Sequence, residues 1–231
     1  MLRRIYNYFT PQERLLWGIS AGAILLSFFL LDGRQYLTLA ASLIGVTSII
    51  VNAKGNPLGQ LLMVIFSLFY GYISYACAYY GEMVTYLGMT GPMAALALIS
   101  WLRHPFHGNR AQVQVNHISR REHGLLALLT AGVTLGFYFI LRALGTANLL
   151  PSTVSVATSF WAVYLTFRRS PLFSLGYAAN DLVLIVLWVL ASLEDVSYLL
   201  VVVCFAAFLA NDLYGFISWR RMEKAQAGAG S

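Results

Sequence analysis

The sequence predicts an all-α integral membrane protein with eight membrane-spanning helices. Of its 231 residues, 59% are hydrophobic and only 10% are charged, whereas soluble domains carry about 25% charged residues. The hydrophobic residues form eight segments, each about as long as a bilayer crossing requires. The net charge of +6 does not indicate a nucleic-acid partner, because the basic residues flank these segments and form no patch.

The chain starts with a basic and aromatic segment, which is typical of a membrane interface. Thr10, Pro11 and Glu13 then have the spacing of a helix start, namely a capping box with proline in the first turn. The first predicted span covers about 15–31. We therefore assign residues 1–35 to an interfacial segment and an accessory helix.

Residues 36–103 contain the next three predicted spans, at about 36–53, 58–80 and 83–101. The polar stretch Asn52–Pro57 predicts a tight turn between the first two of them. Gly91 and Pro92 lie inside the third span and predict a kink, since proline removes a helical hydrogen bond.

Residues 104–122 form the most polar part of the chain and are predicted to be a cytoplasmic loop. His104 and His107 lie here, but no third ligand is placed beside them, so the sequence predicts no metal site. A second capping box at Ser119–Glu122 then opens a helix. We assign residues 123–147 to this linker helix.

Residues 148–221 contain the last three predicted spans, at about 148–167, 172–191 and 198–219. The small and polar residues 222–231 are predicted to be a disordered tail.

The basic residues indicate how the spans are oriented. Eight spans place both termini on one side, and 13 of the 15 Lys and Arg residues then lie on that side. Only Arg34 and Arg142 lie on the other. Loops rich in Lys and Arg stay in the cytoplasm, so both termini are predicted to be cytoplasmic.

Residues 36–103 and 148–221 are predicted to be two copies of one three-helix unit. Each has a basic turn with proline after its first helix, and Pro57 and Pro171 are 114 residues apart. Each ends in Ile-Ser-Trp, and the tryptophans Trp101 and Trp219 are 118 residues apart. Both copies cross the membrane in the same direction, so the linker helix makes a 3+1+3 arrangement of parallel repeats. This is a transporter architecture with its substrate site near mid-membrane at the repeat interface.

Polar side chains within the predicted spans indicate where that site lies, because such groups are costly at bilayer depth unless they face an interior. Most belong to the second unit, so the site is predicted to be lopsided. The candidate substrate-binding residues are Asn211, Tyr214, Asp181, Tyr177, Asn180, Trp188, Gln60 and Trp161. Two alternatives stay open: the amide of Asn211 suits bonding between helices, and any one aromatic ring suits simple packing.

The candidate residues suit a small polar solute that contains a ring. The amides can bind hydroxyl groups or a carboxamide, and the aromatic faces can stack on a flat heterocycle. Asp181 can hold a hydroxyl or face a positively charged ring such as a pyridinium. Asp181 and Asp212 can equally be a proton-coupling pair or structural groups, and the residues leave both open.

An intramembrane enzyme is the rival class, and the sequence argues against it. It contains neither G-x-S-x-G nor H-E-x-x-H, and no histidine lies well inside a predicted span. We therefore predict no catalytic residues and no cofactor. A channel is also disfavoured, because a pore needs rings of like groups.

The residues resemble the PnuC family of bacterial vitamin transporters over about 36–221. The resemblance is carried by Ala53–Asn56, Tyr70–Tyr75, Tyr80–Met83 and the N-x-x-Y motif Asn211–Tyr214. It implies facilitated diffusion of nicotinamide riboside across the bacterial inner membrane by alternating access, with phosphorylation in the cytoplasm trapping the substrate.

One departure leaves the substrate open. The nicotinamide riboside carriers of the family show W-x-x-W early in the seventh span, where this chain has Ser174 and Tyr177. A deoxynucleoside, thiamine or riboflavin is the alternative cargo, and proton coupling is the alternative mode. The expected partners are the small-molecule substrate and the lipid bilayer. Small residues on the second and fourth spans suit tight packing within one protomer or in a homo-oligomer.

Overall fold

The computed structural model describes residues 8–31, 36–76, 79–146 and 148–229. This part of the chain contains eight long helices. They are α1 (Pro11–Leu31), α2 (Tyr36–Asn52), α3 (Leu58–Ala76), α4 (Tyr80–Arg103), α5 (Arg120–Ala143), α6 (Leu149–Phe167), α7 (Phe173–Ser192) and α8 (Leu199–Ala229). Seven are long and apolar enough to span a membrane, and α2 is slightly shorter at 17 residues. The all-helical membrane fold is as predicted.

The helix starts use the predicted capping residues, with one change. At α1, Thr10 N donates to the Glu13 carboxylate (2.7 Å) and Glu13 N donates to Thr10 Oγ1 (3.3 Å), which completes the capping box. At α5, Glu122 N donates to Ser119 Oγ (3.2 Å). The Glu122 carboxylate does not turn back to cap the helix but accepts a hydrogen bond from Arg168 (3.1 Å), and so joins α5 to α6.

The irregularity predicted in α4 is a π-helical turn at Tyr86–Thr90. Gly91 N donates to the Tyr86 carbonyl, five residues back. Pro92 has no N–H and its ring crowds the preceding turn, so a widened turn before it relieves the clash.

Two three-helix units form a ring of six helices. The first unit is α2–α4 and the second unit is α6–α8. Within each unit the helices pack in sequence, and the ring closes where α4 packs against α6 and α8 packs against α2. Helix α5 packs outside the ring on α6, and α1 packs outside it on α8 and α2. This packing is compatible with the predicted 3+1+3 arrangement.

Two of the small residues in the first unit serve packing inside the protomer. A Cβ atom at Gly45 of α2 would lie 2.2 Å from the Phe208 ring of α8, which shows how closely these helices approach. A Cβ atom at Gly91 of α4 would lie 3.3 Å from Ser67 Cβ of α3. These two positions are therefore occupied within the bundle.

One end of the bundle carries Lys54, Arg103 and Arg168, and is called the basic end below. A hairpin of β1 (Pro105–Phe106) and β2 (Asn109–Val113) covers it. The hairpin is attached to the first unit, because Val113 N donates to the Gly55 carbonyl (2.9 Å). The opposite end, which carries Glu194 and Asp195, is called the acidic end.

The prediction of a disordered tail is wrong for residues 222–229, because α8 continues to Ala229. The Gln226 side chain accepts from Val115 N (2.8 Å) and donates to the Val113 carbonyl (3.0 Å), so this last part of α8 is bound to the hairpin segment. Composition alone does not reveal such a tertiary contact. Residues 230–231 lie outside the described residues.

Candidate functional site

A small cavity lies inside the six-helix ring, between the two units, and is called the central cavity. Its volume is about 30 Å³. The first unit contributes Ile49, Asn52, Met63, Phe66, Tyr86 and Thr90. The second unit contributes the polar residues Ser159, Tyr177, Asn180, Asp181 and Asp212 with the rings of Phe173, Phe205 and Phe208. This is the repeat interface at which the sequence places the substrate site.

The two units line the cavity with side chains of different character. Residues 114 apart occupy equivalent positions on α3 and α7, and both members of two such pairs face the cavity. Where the first unit has Met63 and Phe66, the second has Tyr177 and Asn180. At these two positions the first unit is apolar and the second is polar. The second unit also contributes both carboxyl groups of the cavity, and its side is called the polar wall below.

Two carboxyl groups meet on the polar wall. Asp181 of α7 and Asp212 of α8 are 3% and 4% exposed. The two carboxyl groups are electrostatic neighbours. The Oδ2 atom of Asp181 has no hydrogen-bond partner among the described residues. None of the described residues that line the cavity is a lysine, arginine or histidine, so its only formal charges are negative.

The side chain of Asn180 is held in one orientation. Thr158 Oγ1 and Ser159 Oγ both lie 2.9 Å from Asn180 Oδ1 and donate to it. Because Oδ1 is engaged on α6, the group that Asn180 can offer to a ligand is its Nδ2 donor.

Aromatic rings close the central cavity toward both ends. At the basic end the Phe173 ring centroid lies 4.8 Å from that of Trp219, which lies 5.3 Å from that of Trp101. Toward the acidic end Phe205 packs on Phe208 at 5.5 Å. A volume of about 30 Å³ holds water but not a nucleoside, and ligand pockets usually measure about 300–1,000 Å³. The central cavity in this conformation is therefore too small for a nucleoside.

Four of the predicted site residues come together at the cavity, namely Tyr177, Asn180, Asp181 and Asp212. Trp188 lies nearer the acidic end, 1% exposed, and packs on Tyr79 at 5.0 Å between ring centroids. Its ring therefore belongs to an aromatic cluster and does not line the central cavity.

Asn211 and Tyr214 contact the accessory helix and do not line the central cavity. Asn211 is fully buried, and its Nδ2 donates to Ser20 Oγ of α1 (2.8 Å) and to the Ala207 carbonyl (2.7 Å). Tyr214 OH donates to the Glu13 carboxylate of α1 (3.2 Å). This arrangement matches the interhelical role that the sequence left open for Asn211.

Gln60 and Trp161 also lie away from the cavity wall. Gln60 is buried behind the cavity, and its Nε2 donates to Oδ1 of Asn52, which does line the cavity (2.9 Å). Trp161 is 43% exposed and lies on the outer surface beside Thr130 and Ala157. The helical position of each was visible in the sequence, but the direction of its face was not.

The sequence reasoning missed several residues of the cavity wall. Asn52 is predicted only as part of a polar turn, and nothing in the sequence singles out Thr90. Ser159 shares one face of the sixth span with Ser152 and Ser155, and this serine stripe is the signal that could have identified it.

Residues 35–221 match the family described as Nicotinamide mononucleotide transporter. The chain belongs to the nicotinamide mononucleotide transporter family. The match covers both three-helix units and the helix between them. The chain is therefore a multi-pass membrane transporter of a bacterial family and not an enzyme.

Individual relatives of this family agree with that assignment. The chain is 25% identical to the "Nicotinamide riboside transporter PnuC" of Neisseria mucosa, over 98% of this chain and 87% of the relative. It is 23% identical to the "Nicotinamide riboside transporter PnuC" of Haemophilus influenzae, over 82% of this chain and 81% of the relative. The solved "Crystal structure of the Vitamin B3 transporter PnuC" has the same fold, with a TM-score of 0.83, 22% identity and 94% coverage of both chains.

Proposed function

We propose that this chain imports nicotinamide riboside through the central cavity. The observation that carries this proposal is the charge of the cavity wall, which has two carboxyl groups and no basic side chain among the described residues. A nucleoside with a cationic ring suits such a wall. The phosphate of a mononucleotide would face Asp181 and Asp212 with no cation to balance it. The riboside in the names of the two relatives is therefore favoured over the mononucleotide in the family description.

The cavity offers a contact for each part of this substrate. Tyr177 retains one aromatic of the family's W-x-x-W pair and faces the cavity, where it can stack on the pyridinium ring. Asn180 Nδ2 can donate to the carboxamide oxygen, and the carboxyl groups can accept from ribose hydroxyls. The other W-x-x-W position, Ser174, is buried against Gly215 of α8 and faces away from the cavity. We therefore expect the substrate ring to stack on one aromatic side chain from the W-x-x-W positions of this chain, and not on two.

The mechanism we propose is alternating access without an energy source. The central cavity widens and opens by rearrangement of the aromatic residues at its two ends, first toward the acidic end and then toward the basic end. Transport is then facilitated diffusion, and phosphorylation in the cytoplasm traps the substrate. Proton-coupled transport is the second candidate, and the adjoining carboxyl groups of Asp181 and Asp212 are the observation that favours it.

We place the protein in the bacterial inner membrane with its basic end and both termini in the cytoplasm. The support is the distribution of basic residues, 13 on one side and two on the other. The helix α5 exposes Gly132 and Gly136 with nothing near their Cβ positions, which leaves a face on which a second copy can pack. We therefore also propose that the protein forms a homo-oligomer through this face of α5.

The proposed substrate is tested with purified protein in detergent and in proteoliposomes. Equilibrium binding is measured for nicotinamide riboside, its mononucleotide, thiamine, riboflavin and a deoxynucleoside. We expect selective binding of nicotinamide riboside, and its uptake into proteoliposomes to reach equilibrium without accumulation. Preferred binding of the mononucleotide or of another vitamin would contradict the assigned substrate.

The mode of transport is tested in the same proteoliposomes. Uptake is compared with and without an imposed pH gradient, at equal substrate concentration on the two sides. Facilitated diffusion predicts no net movement in either case. If the pH gradient drives accumulation of the substrate inside the proteoliposomes, transport is proton-coupled and the uncoupled mechanism is wrong.

A further inference from the structure

We infer that Asp181 and Asp212 act together to select substrates whose ring carries a fixed positive charge over neutral substrates of the same shape. The inference rests on the proposed function and assigns its charge selectivity to these two side chains. It adds a role for Asp212 beside Asp181.

The geometry isolates this pair from any positive charge. Asp181 and Asp212 come from different helices, α7 and α8, and both face the central cavity. Each is more than nine-tenths buried, and the Oδ2 atom of Asp181 lacks a hydrogen-bond partner among the described residues. No ion pair of the described residues includes either carboxyl group. The pair therefore has an unused acceptor atom on a residue that lines the cavity.

An uncompensated negative charge is unfavourable in such a place. Charged groups at bilayer depth cost several kcal/mol unless a partner or water compensates them. Like charges in contact also repel, so two adjacent carboxylates are unfavourable without a cation beside them. A ring with a fixed positive charge supplies that cation, whereas a neutral ring leaves the carboxyl groups uncompensated.

The aromatic residues around the pair add to the same preference. Tyr177 and Phe173 of α7 and Tyr86 of α4 line the cavity together with the two carboxyl groups. The faces of aromatic rings attract cations, and this attraction is stronger where water is excluded. A cationic ring between these faces and the carboxyl groups is thus stabilised twice.

Two forms of one ligand separate charge from shape. Nicotinamide riboside carries a pyridinium ring, and its reduced dihydropyridine form has nearly the same shape but no charge on the ring. Binding of each form to the purified protein is measured by calorimetry. We expect the charged form to bind at least about tenfold more tightly, the discrimination that one buried charge pair readily provides. Equal affinities for the two forms would overturn the inference while leaving the proposed substrate intact.

Isosteric variants assign the selectivity to the pair. In Asp181→Asn and Asp212→Asn we expect the ratio of the two affinities to fall toward one. The matched control is Asp195→Asn at the acidic end, where an exposed side chain caps the turn through Ser197 N and an amide oxygen can do the same. The control should keep the wild-type ratio, and unfolding temperatures in detergent verify that all variants are folded.

The remaining outcomes are also decisive. An unchanged ratio in both variants would assign the selectivity elsewhere and overturn the inference. Loss of both ligands by both folded variants would make the carboxyl groups general substrate contacts and would also overturn it. If the wild-type protein binds neither form, the proposed substrate fails, and the inference that rests on it fails with it.

Discussion

Trp101 and Trp219 lie with their ring centroids 5.3 Å apart at the basic end, and each indole bonds the other three-helix unit. Trp101 Nε1 of the first unit donates to the Thr166 carbonyl of α6 (2.9 Å). Trp219 Nε1 of the second unit donates to the Asn52 carbonyl of α2 (2.8 Å). We call these two hydrogen bonds the indole clamp. It joins the two units where the ring of six helices closes.

The serines before these tryptophans repeat the pattern. Ser100 Oγ donates to the Phe167 carbonyl (3.0 Å), and Ser218 Oγ donates to the Ala53 carbonyl (2.7 Å). The donors of the two sets are 118 residues apart and the acceptors are 114 apart, the same offsets as in the sequence repeat. The Ile-Ser-Trp sequences therefore have one function in both units, which is to bond the end of the first helix in the other unit.

Breaking the indole clamp should loosen the basic end. In Trp101→Phe or Trp219→Phe the hydrogen bond from the indole is lost, which costs about 1 kcal/mol, because the Thr166 and Asn52 carbonyls still accept from Arg169 N and Gly55 N. We expect a lower unfolding temperature in detergent for each single variant. If alternating access opens this end, a cysteine introduced at Ser159 of the cavity should also react faster with a thiol reagent.

Trp161→Phe is the control for the clamp, because its indole lies on the outer surface and is 43% exposed. It should leave both the unfolding temperature and the cysteine reactivity near their wild-type values. If Trp219→Phe has the same unfolding temperature and the same cysteine reactivity as this control, the indole clamp does not hold the units together.

Asn211→Ala should affect stability more than substrate binding. The substitution removes the hydrogen bond to Ser20 that ties α8 to α1, and we expect a loss of about 1 kcal/mol. Asn180→Ala removes a donor that faces the cavity, so it should weaken nicotinamide riboside binding about tenfold. Calorimetry and thermal unfolding of both variants give the comparison. A greater loss of affinity for Asn211→Ala than for Asn180→Ala would return Asn211 to the substrate site.

Gly45→Ala should be strongly destabilising. The new Cβ atom would lie 2.2 Å from the tip of the Phe208 ring, so this buried ring must move or α2 and α8 must separate, at an overpacking cost of about 1–3 kcal/mol. Phe208 also lines the central cavity, and we expect uptake into proteoliposomes to fall with stability. Gly132→Ala on α5 is the matched control, since nothing lies within 4 Å of its Cβ position. It should be neutral or slightly stabilising, because alanine favours helix.

Gln226→Ala should release the hairpin from the end of α8. Two hydrogen bonds to Val113 and Val115 are lost, and we expect faster proteolytic cleavage at Arg110 in the hairpin. Lys224→Ala on the exposed side of the same helix is the control and should leave the cleavage rate unchanged. Equal cleavage rates in the two variants would mean that the contact of α8 does not stabilise the hairpin.

Much of the fold was predictable because its signals are local or periodic. Long apolar segments, capping boxes and the Gly-Pro pair are properties of neighbouring residues, and they located the helices and the irregular turn in α4. The internal repeat was detectable because both copies keep the same turn and the same Ile-Ser-Trp ending. The polar residues of the seventh span indicated the cavity wall, because polar groups within a membrane span usually face the interior of the bundle.

The direction in which each polar face points was decided only by the tertiary structure. Asn211 and Asp212 are neighbours in the sequence, but helical geometry turns them about 100° apart. Asp212 faces the cavity, whereas Asn211 faces the accessory helix, because α1 packs outside the ring against α8. The end of α8 is likewise helical where Gln226 contacts the hairpin segment, a tertiary contact that its composition does not reveal. The sequence by itself determined the class, the helices and the polar inventory, and the packing of helices around a shared ring decided which of those polar groups meet.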